Sequence, residues 1–426
     1  MYELKKFNIR QGVNLYYIED SKYKTLSIAM YLHRPISREE VTKNSLLSGV
    51  LKSGTTTYPS MREINRSLEE LYGTVYDIAV SRRGGIQSLV TSCSVVNPKI
   101  AGENLIPKAV GLILDFVFNP ATEGDGFVKS YVETEKKNLK DNIESLVNDK
   151  RAYADFRCME EMCAGESAGI NEYGYVEDLE KIDAENLYEH YRSIITVSPI
   201  DIFVVGKCDI EDVKNAFSKQ LEKIDFNINP VAMEEIDAKG GEVKNIEEAF
   251  DVAQGKLAMG FRTFIGINHK LYYPLLVGNS ILGAGAHSKL FNNVREKSSL
   301  AYYVSSRLDK FSEIMLISSG IEFKNYERAK KEILEQVDDV KNGKFTDDEL
   351  NISKDFIINQ YRSYLDSPYM LRSFYVGQIL GGKVENVDTA IENVRAVTSE
   401  QIVEAFSDVC LDTVYFLKGS DKNEAE

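Results

Sequence analysis

Residues 285–306, GAHSKLFNNVREKSSLAYYVSS, set an arginine and a tyrosine around a turn from helix to strand. The guanidinium of Arg295 carries a fork of donors able to hold a carbonyl or carboxylate, and the hydroxyl of Tyr302 can donate to an oxyanion. Local periodicity alone gives a different reading, with Arg295, Glu296 and Lys297 as a solvated helix end and Tyr302 and Tyr303 packed in a strand. Few other residues have chemically suggestive spacing. His33, His190, His269 and His287 are scattered without ligand-like intervals, and each reads as an ordinary core or surface residue. Cys158 and Cys163 read as small buried residues of a helix. Gly283 and Gly285 follow a helix rather than a strand, which suits close packing better than a phosphate cradle.

The elements that must position Arg295 and Tyr302 belong to a chain of 426 residues, more than one hydrophobic core usually organises. With 43% hydrophobic and 27% charged residues it can bury a sizeable core, and a formal net charge of -15 argues against a dominant nucleic-acid role. The opening residues contain no continuous apolar region of the kind a secretory signal needs, and the apolar run 109–118 is broken by Asp115, well short of a membrane span. Five cysteines, odd in number and without CxxC spacing, point to a reduced, cytoplasmic protein.

Read for strands and helices, the chain appears twice. The first half gives strands at 14–19 and 25–32, helices at 38–52 and 61–72, and strands at 75–81 and 87–95. Helices at 106–118, 126–146, 151–163 and 184–193 follow, then a strand at 200–205. The second half repeats the order, with a strand at 255–262, helices at 272–282 and 288–296, strands at 301–308 and 313–321, and helices at 326–341, 347–365 and 369–380. IESLVNDKRAYADF aligns with YRSYLDSPYMLRSF without a gap, IDAENLYEHY pairs with VTSEQIVEAF, and IFVVGKCD with VYFLKGSD. Hairpin-type strand pairs alternating with blocks of helices predict an α+β protein of two homologous mixed α/β domains, each a largely antiparallel sheet with helices packed on it. The expected bounds are 1–225 and 250–426, joined by an acidic, Pro- and Gly-containing linker at 226–249.

The stretch SKLFNNVREKSSLAYYVSS resembles the substrate-binding arginine/tyrosine segment in the second domain of pitrilysin- and insulinase-like zinc peptidases, with Ser298 and Ser299 where that family usually has Arg-Gly. The resemblance spans nearly the whole chain and implies a clamshell of two homologous domains. It gives Arg295 the role of holding a substrate carbonyl or carboxylate, and Tyr302 that of donating to the oxyanion of peptide hydrolysis. It also says where zinc belongs. The family carries HxxEH on a first-domain helix, two histidines one turn apart for the metal and a glutamate that polarises the attacking water, followed by a small-residue turn and GT. The matching stretch here is NSLLSGVLKSGTTTYPS, residues 44–60, in which Lys52, Ser53, Gly54 and Thr55 fit the turn. In that register Asn44 and Ser48 stand in the histidine positions and Leu47 in the glutamate position. Amide and hydroxyl oxygens are poor partners for zinc beside imidazole, and leucine accepts no proton. The family's third ligand is a glutamate on a later helix with a supporting glutamate seven residues before it. In VETEKKNLKDNIE, Glu135 fits the supporting position and Asn142 falls at the ligand position.

The resemblance therefore implies no catalytic residue and no zinc in this chain. It suggests the non-catalytic, substrate-binding subunit of a heterodimeric zinc endopeptidase, similar to processing-peptidase pairs, whose partner bears HxxEH and supplies the metal. Peptides or unfolded segments are the expected substrate, and neither nucleic acid nor membrane is an expected partner. The strand 255–262 would line the chamber, where an exposed edge accepts an extended peptide unless its neighbours cover it. A structural or peptide-binding protein of the same fold with no part in proteolysis is the alternative, and a zinc peptidase with unconventional ligands the remaining one.

Overall fold

Leu26, Ile28, Met30 and Leu32 alternate along one strand and all point into a single apolar core, which gives the sheet one face for helices. The same logic repeats along the chain in a computed structural model that describes residues 3–236 and 240–420. Its strands are β1 (Leu4–Arg10), β2 (Val13–Ile18), β3 (Thr25–Pro35), β4 (Val75–Arg83), β5 (Ile86–Val96), β6 (Thr122–Glu123), β7 (Gly126–Phe127), β8 (Ile200–Val205), β9 (Lys244–Phe250), β10 (Gly255–Arg262), β11 (Ala301–Asp309), β12 (Ile314–Ile321) and β13 (Cys410–Gly419). Its α-helices are α1 (Val41–Ser53), α2 (Met61–Glu70), α3 (Pro98–Ala101), α4 (Ile106–Phe118), α5 (Lys129–Ser145), α6 (Lys150–Met162), α7 (Val176–Leu179), α8 (Ala184–Val197), α9 (Ile210–Leu221), α10 (Tyr272–Gly283), α11 (Tyr326–Lys341), α12 (Asp347–Tyr364), α13 (Pro368–Leu380), α14 (Val387–Ala396) and α15 (Ser399–Phe406). Side-chain caps set many helix starts. Asp183, Thr346 and Thr398 each close a capping box with the residue three further on.

The first sheet has the order β1-β2-β8-β3-β5-β4, parallel only between β2 and β8. The second, read from its other edge, runs β9-β13-β10-β12-β11 and is parallel only between β9 and β13. Strand for strand, β9 repeats β2, β13 repeats β8, and β10, β12 and β11 repeat β3, β5 and β4. The fold is thus α+β, two homologous largely antiparallel sheets with helices packed on them.

The chain forms two compact units, one from Met1–Glu144, Ile170–Met233 and Asp366–Gly377, the other from Ser145–Gly169, Glu234–Leu365 and Gln378–Glu426. Each half of the sequence lends a helix to the other half's unit. In the second unit α6 lies on β10 and β13, with Ala154 and Cys158 in a core shared with Ala258, Leu316 and Tyr415. The close approach of α6 to β10 falls at Gly260, where a Cβ would lie 2.5 Å from Met162 Sδ and would displace that side chain. Arg262, 3% exposed, fixes the end of α6 by donating to the Glu166 and Asp412 carboxylates and the Met162 carbonyl. In the first unit α13 brings Arg372 to Ser27 Oγ at 3.1 Å and over the Tyr31 ring.

Several elements depart from the sequence reading. The span 226–249, read as linker, contains most of β9, whose exposed, charged KNIEEAF residues hide a strand made by pairing with the distant β13. Residues 237–239 of that span lie outside the described residues. The strand 255–262 is no edge, because β12 and β13 flank it. The helix read at 126–146 begins at Lys129, with Gly126–Phe127 paired to Thr122–Glu123 instead. The stretch read as a helix at 288–296 is a π-helix, Leu290–Lys297. Among the described residues no helix is long and apolar enough to cross a membrane.

Candidate functional site

In the first unit, the helix face of α1 that would carry metal ligands is closed by hydrogen bonds. Asn44 is 4% exposed, and its Nδ2 donates to Gln87 Oε1 at 2.8 Å while its Oδ1 lies 2.7 Å from His190 Nε2. An amide oxygen only accepts, so His190 presents N–H at Nε2. Gln87 continues the chain by donating to the Glu172 carbonyl at 2.8 Å, which also accepts from Ser45 Oγ. Burial brings the His190 pKa down to about 4, with Glu40 opposing and Arg34 and Lys43 adding to the shift, so the imidazole is neutral near pH 7. Leu47 is fully buried in the main core. Ser48 turns its hydroxyl to the Ser45 carbonyl of its own helix at 2.8 Å.

Glu135 of α5 does reach α1. Its Oε1 lies 3.4 Å from Ser53 Oγ, and the approach depends on Gly49, where a Cβ would sit 2.6 Å from Glu135 Oε2. Asn142, further along α5, is exposed. An apolar side chain, a serine bonded to its own helix and an asparagine with both ends engaged do not fit a zinc ion. Gln87 and His190 complete this network from β5 and α8, and no short-range spacing announces either of them.

The sheet holds a second polar row that the sequence reading also missed. Ser88 Oγ lies 2.8 Å from His33 Nδ1, His33 Nε2 lies 3.3 Å from Asp201 Oδ2, and Asn14 donates to Asp201 at 3.0 Å. These residue types make hydrolytic triads, but Ser88 is 3% exposed in mid-strand, so the row satisfies buried polar groups rather than presenting a nucleophile.

In the second unit, Arg295 and Tyr302 are held outward by three backbone departures within a few residues. Arg295 lies in the π-helix, anchored by buried Leu290 and Val294. Ser299 follows with φ +50°, the left-handed conformation that glycine adopts without penalty. Then β11, an edge strand, bulges between Ala301 and Tyr303, leaving Tyr302 as the unpaired residue, 58% exposed. The Arg295 guanidinium lies over the Phe291 ring at 4.7 Å, and its Nε is 3.6 Å from Glu296 Oε1. The Tyr302 hydroxyl donates to Glu322 Oε1 at 3.4 Å, and Lys324 beside Glu322 holds that carboxyl below its usual range. Ser298 caps the turn by donating to Glu332 at 2.5 Å. His287 is partly buried, its Nε2 3.2 Å from both Ser280 Oγ and Ser353 Oγ, which makes it a packing residue of α10 and α12.

The family described as Peptidase M16 inactive domain matches residues 181–356, which include Arg295 and Tyr302. YmfF of Bacillus subtilis (strain 168), named a probable inactive metalloprotease, is 35% identical over 412 residues, 96% of each chain. The chain belongs to the M16 peptidases, the pitrilysin- and insulinase-like family. This M16 chain is also 23% identical to YmxG of the same organism, an uncharacterized zinc protease, over 94% of each chain. The crystal structure of a conserved protein from Enterococcus faecalis V583 superposes with a TM-score of 0.90 at 28% identity, covering 99% of this M16 chain and 100% of the other.

Proposed function

We propose that this M16 chain is the non-catalytic, substrate-binding subunit of a heterodimeric zinc endopeptidase that acts on peptides or unfolded segments in the cytoplasm. The partner is a similarly sized chain with an intact HxxEH, which supplies zinc and the general base. Arg295 holds a carbonyl or carboxylate of the substrate, and Tyr302 donates to the oxyanion as the scissile carbonyl becomes tetrahedral. One observation carries this reading: a π-helix, a left-handed serine and a β-bulge together keep Arg295 and Tyr302 exposed, and such irregularities persist at functional sites. Similarity to a named zinc protease over nearly the full length supports a partner of the same fold. Five free cysteines support a reducing compartment.

Reconstitution with the HxxEH chain tests the proposal. Peptide turnover is expected only with both chains present, and Tyr302→Phe should lower kcat by about 10²-fold, the usual loss for one oxyanion donor. Unchanged turnover in the Tyr302→Phe and Arg295→Ala pairs would favour a purely structural role. Chelator-sensitive hydrolysis by this chain alone would overturn the proposal.

A further inference from the structure

The turn after α1 and the helices α2 and α4 line a half-open cavity of about 330 Å³ in the first unit, within the range of small-ligand sites. One face of α4 lines it with Lys108, Gly111, Leu112 and Asp115, at the i, i+3, i+4, i+7 spacing of a single helical face. Gly111 is inside the helix, where glycine is less favourable than alanine, yet a Cβ there would meet nothing within 4 Å. No neighbour requires the glycine, and its missing side chain keeps the cavity open.

The cavity is dipolar. Asp115, 8% exposed, lies in the last turn of α4, and α2 ends at Glu70; neither helix has a basic residue in its last turn. Helix C-termini carry partial negative charge, so two carboxylates and two helix ends make this side attractive to a cation. Asp115 is held by Thr57 Oγ1 at 2.9 Å, by Thr55 and by Asn119, which fixes its direction. Glu70 also pairs with Arg66 at 3.4 Å on the solvent side. At the other end Lys108 occupies the first turn of α4 and makes no ion pair among the described residues. Tyr58, Leu71 and Leu112 supply apolar walls between the two ends.

We propose that this cavity binds a dipeptide with an apolar C-terminal side chain, its ammonium against Asp115 and Glu70 and its carboxylate against Lys108. Length admits a dipeptide. Seven residues of helix separate the Lys108 and Asp115 backbones by about 10 Å. Two extended residues span about 7 Å and a hydrogen bond at each of the two ends adds about 3 Å, about 13 Å in all, and the flexible stem of Lys108 covers the difference.

Titration calorimetry of the full chain with Ala-Leu tests this. Saturable 1:1 binding is expected, and N-acetyl-Ala-Leu should bind about ten-fold more weakly or worse, since a hydrogen-bonded charge is lost at the acidic end. Lys108→Gln should abolish the preference for Ala-Leu over its C-terminal amide. Gly111→Leu fills the cavity while favouring the helix and should eliminate binding with the circular dichroism unchanged; should it misfold, Gly111→Ala, which narrows the cavity, should weaken binding. Absence of saturable binding at millimolar Ala-Leu, or wild-type affinity in folded Gly111→Leu, would overturn the proposal.

Discussion

The surroundings of Asn44 and of Arg295 treat polar side chains in opposite ways. Around Asn44 the backbone is regular helix and strand, and the side chains turn inward until each donor meets an acceptor in Gln87, His190 or a carbonyl. Around Arg295 the side chains make few bonds, and the backbone departs from regularity at the π-helix, at Ser299 and at Tyr302. The left-handed Ser299 costs on the order of 1 kcal/mol and persists only where surrounding structure enforces it, while the bulge leaves Tyr302 without a partner residue in the ladder. A closed network gains stability from polar groups, whereas an exposed pair held by strained backbone gives stability up. The first arrangement suits a scaffold and the second a contact with another molecule.

The widest breach of this contrast comes from placing the family's glutamate back on α1. Leu47→Glu puts a carboxylate into a core position that is fully buried. Burial of that kind raises a carboxyl pKa by about 3 units, which amounts to about 4 kcal/mol at pH 7. Thermal unfolding should show Tm lowered by about 10 °C. A wild-type Tm would mean that α1 is not sealed and that the contrast is drawn wrongly.

A smaller effect sharpens the network side. With the His190 pKa brought from 6.5 to about 4, the unfolded chain takes up a proton below pH 6.5 that the folded chain refuses until about pH 4. Stability from this residue is therefore complete above pH 6.5 and declines as pH falls through that window, by about 2–3 kcal/mol. His190→Gln retains a donor for Asn44 and removes the titration, so denaturant midpoints compared from pH 7 to 4 should fall less steeply for the variant. Parallel curves would mean that His190 is already protonated inside the fold or is not enclosed.

Much of the fold is legible because its signals are local. Alternation in β3 and the apolar stripe of α4 are both present in their own segments. The gapless match of 143–156 with 361–374 marks the equivalent helices α6 and α13, though sequence alone does not say that each packs in the other half's unit. That exchange is marked by contacts made far along the chain, Met162 against Gly260 and Arg372 on Ser27. The strand β9 was hidden for a related reason, since its residues are exposed and charged and its hydrogen bonds come from β13. At the candidate site, Gln87 and His190 were not readable from local spacing, because they complete Asn44 across 43 and 146 residues of chain.

The smallest expected effect bears on the Arg295 side. Ser299 stands where the family resemblance places a glycine and adopts the left-handed conformation at φ +50°, exposed to solvent. A left-handed residue with a Cβ costs on the order of 1 kcal/mol relative to glycine, partly offset by the greater freedom glycine has when unfolded. Ser299→Gly should therefore raise Tm by about 2 °C without loss of partner-dependent turnover, whereas Ser299→Val, branched at Cβ, should lower both. A Ser299→Gly variant less stable than wild type would indicate that the turn is relaxed with serine. The exposure of Arg295 and Tyr302 would then rest on the π-helix and the bulge alone, since the strain assigned to position 299 would be absent.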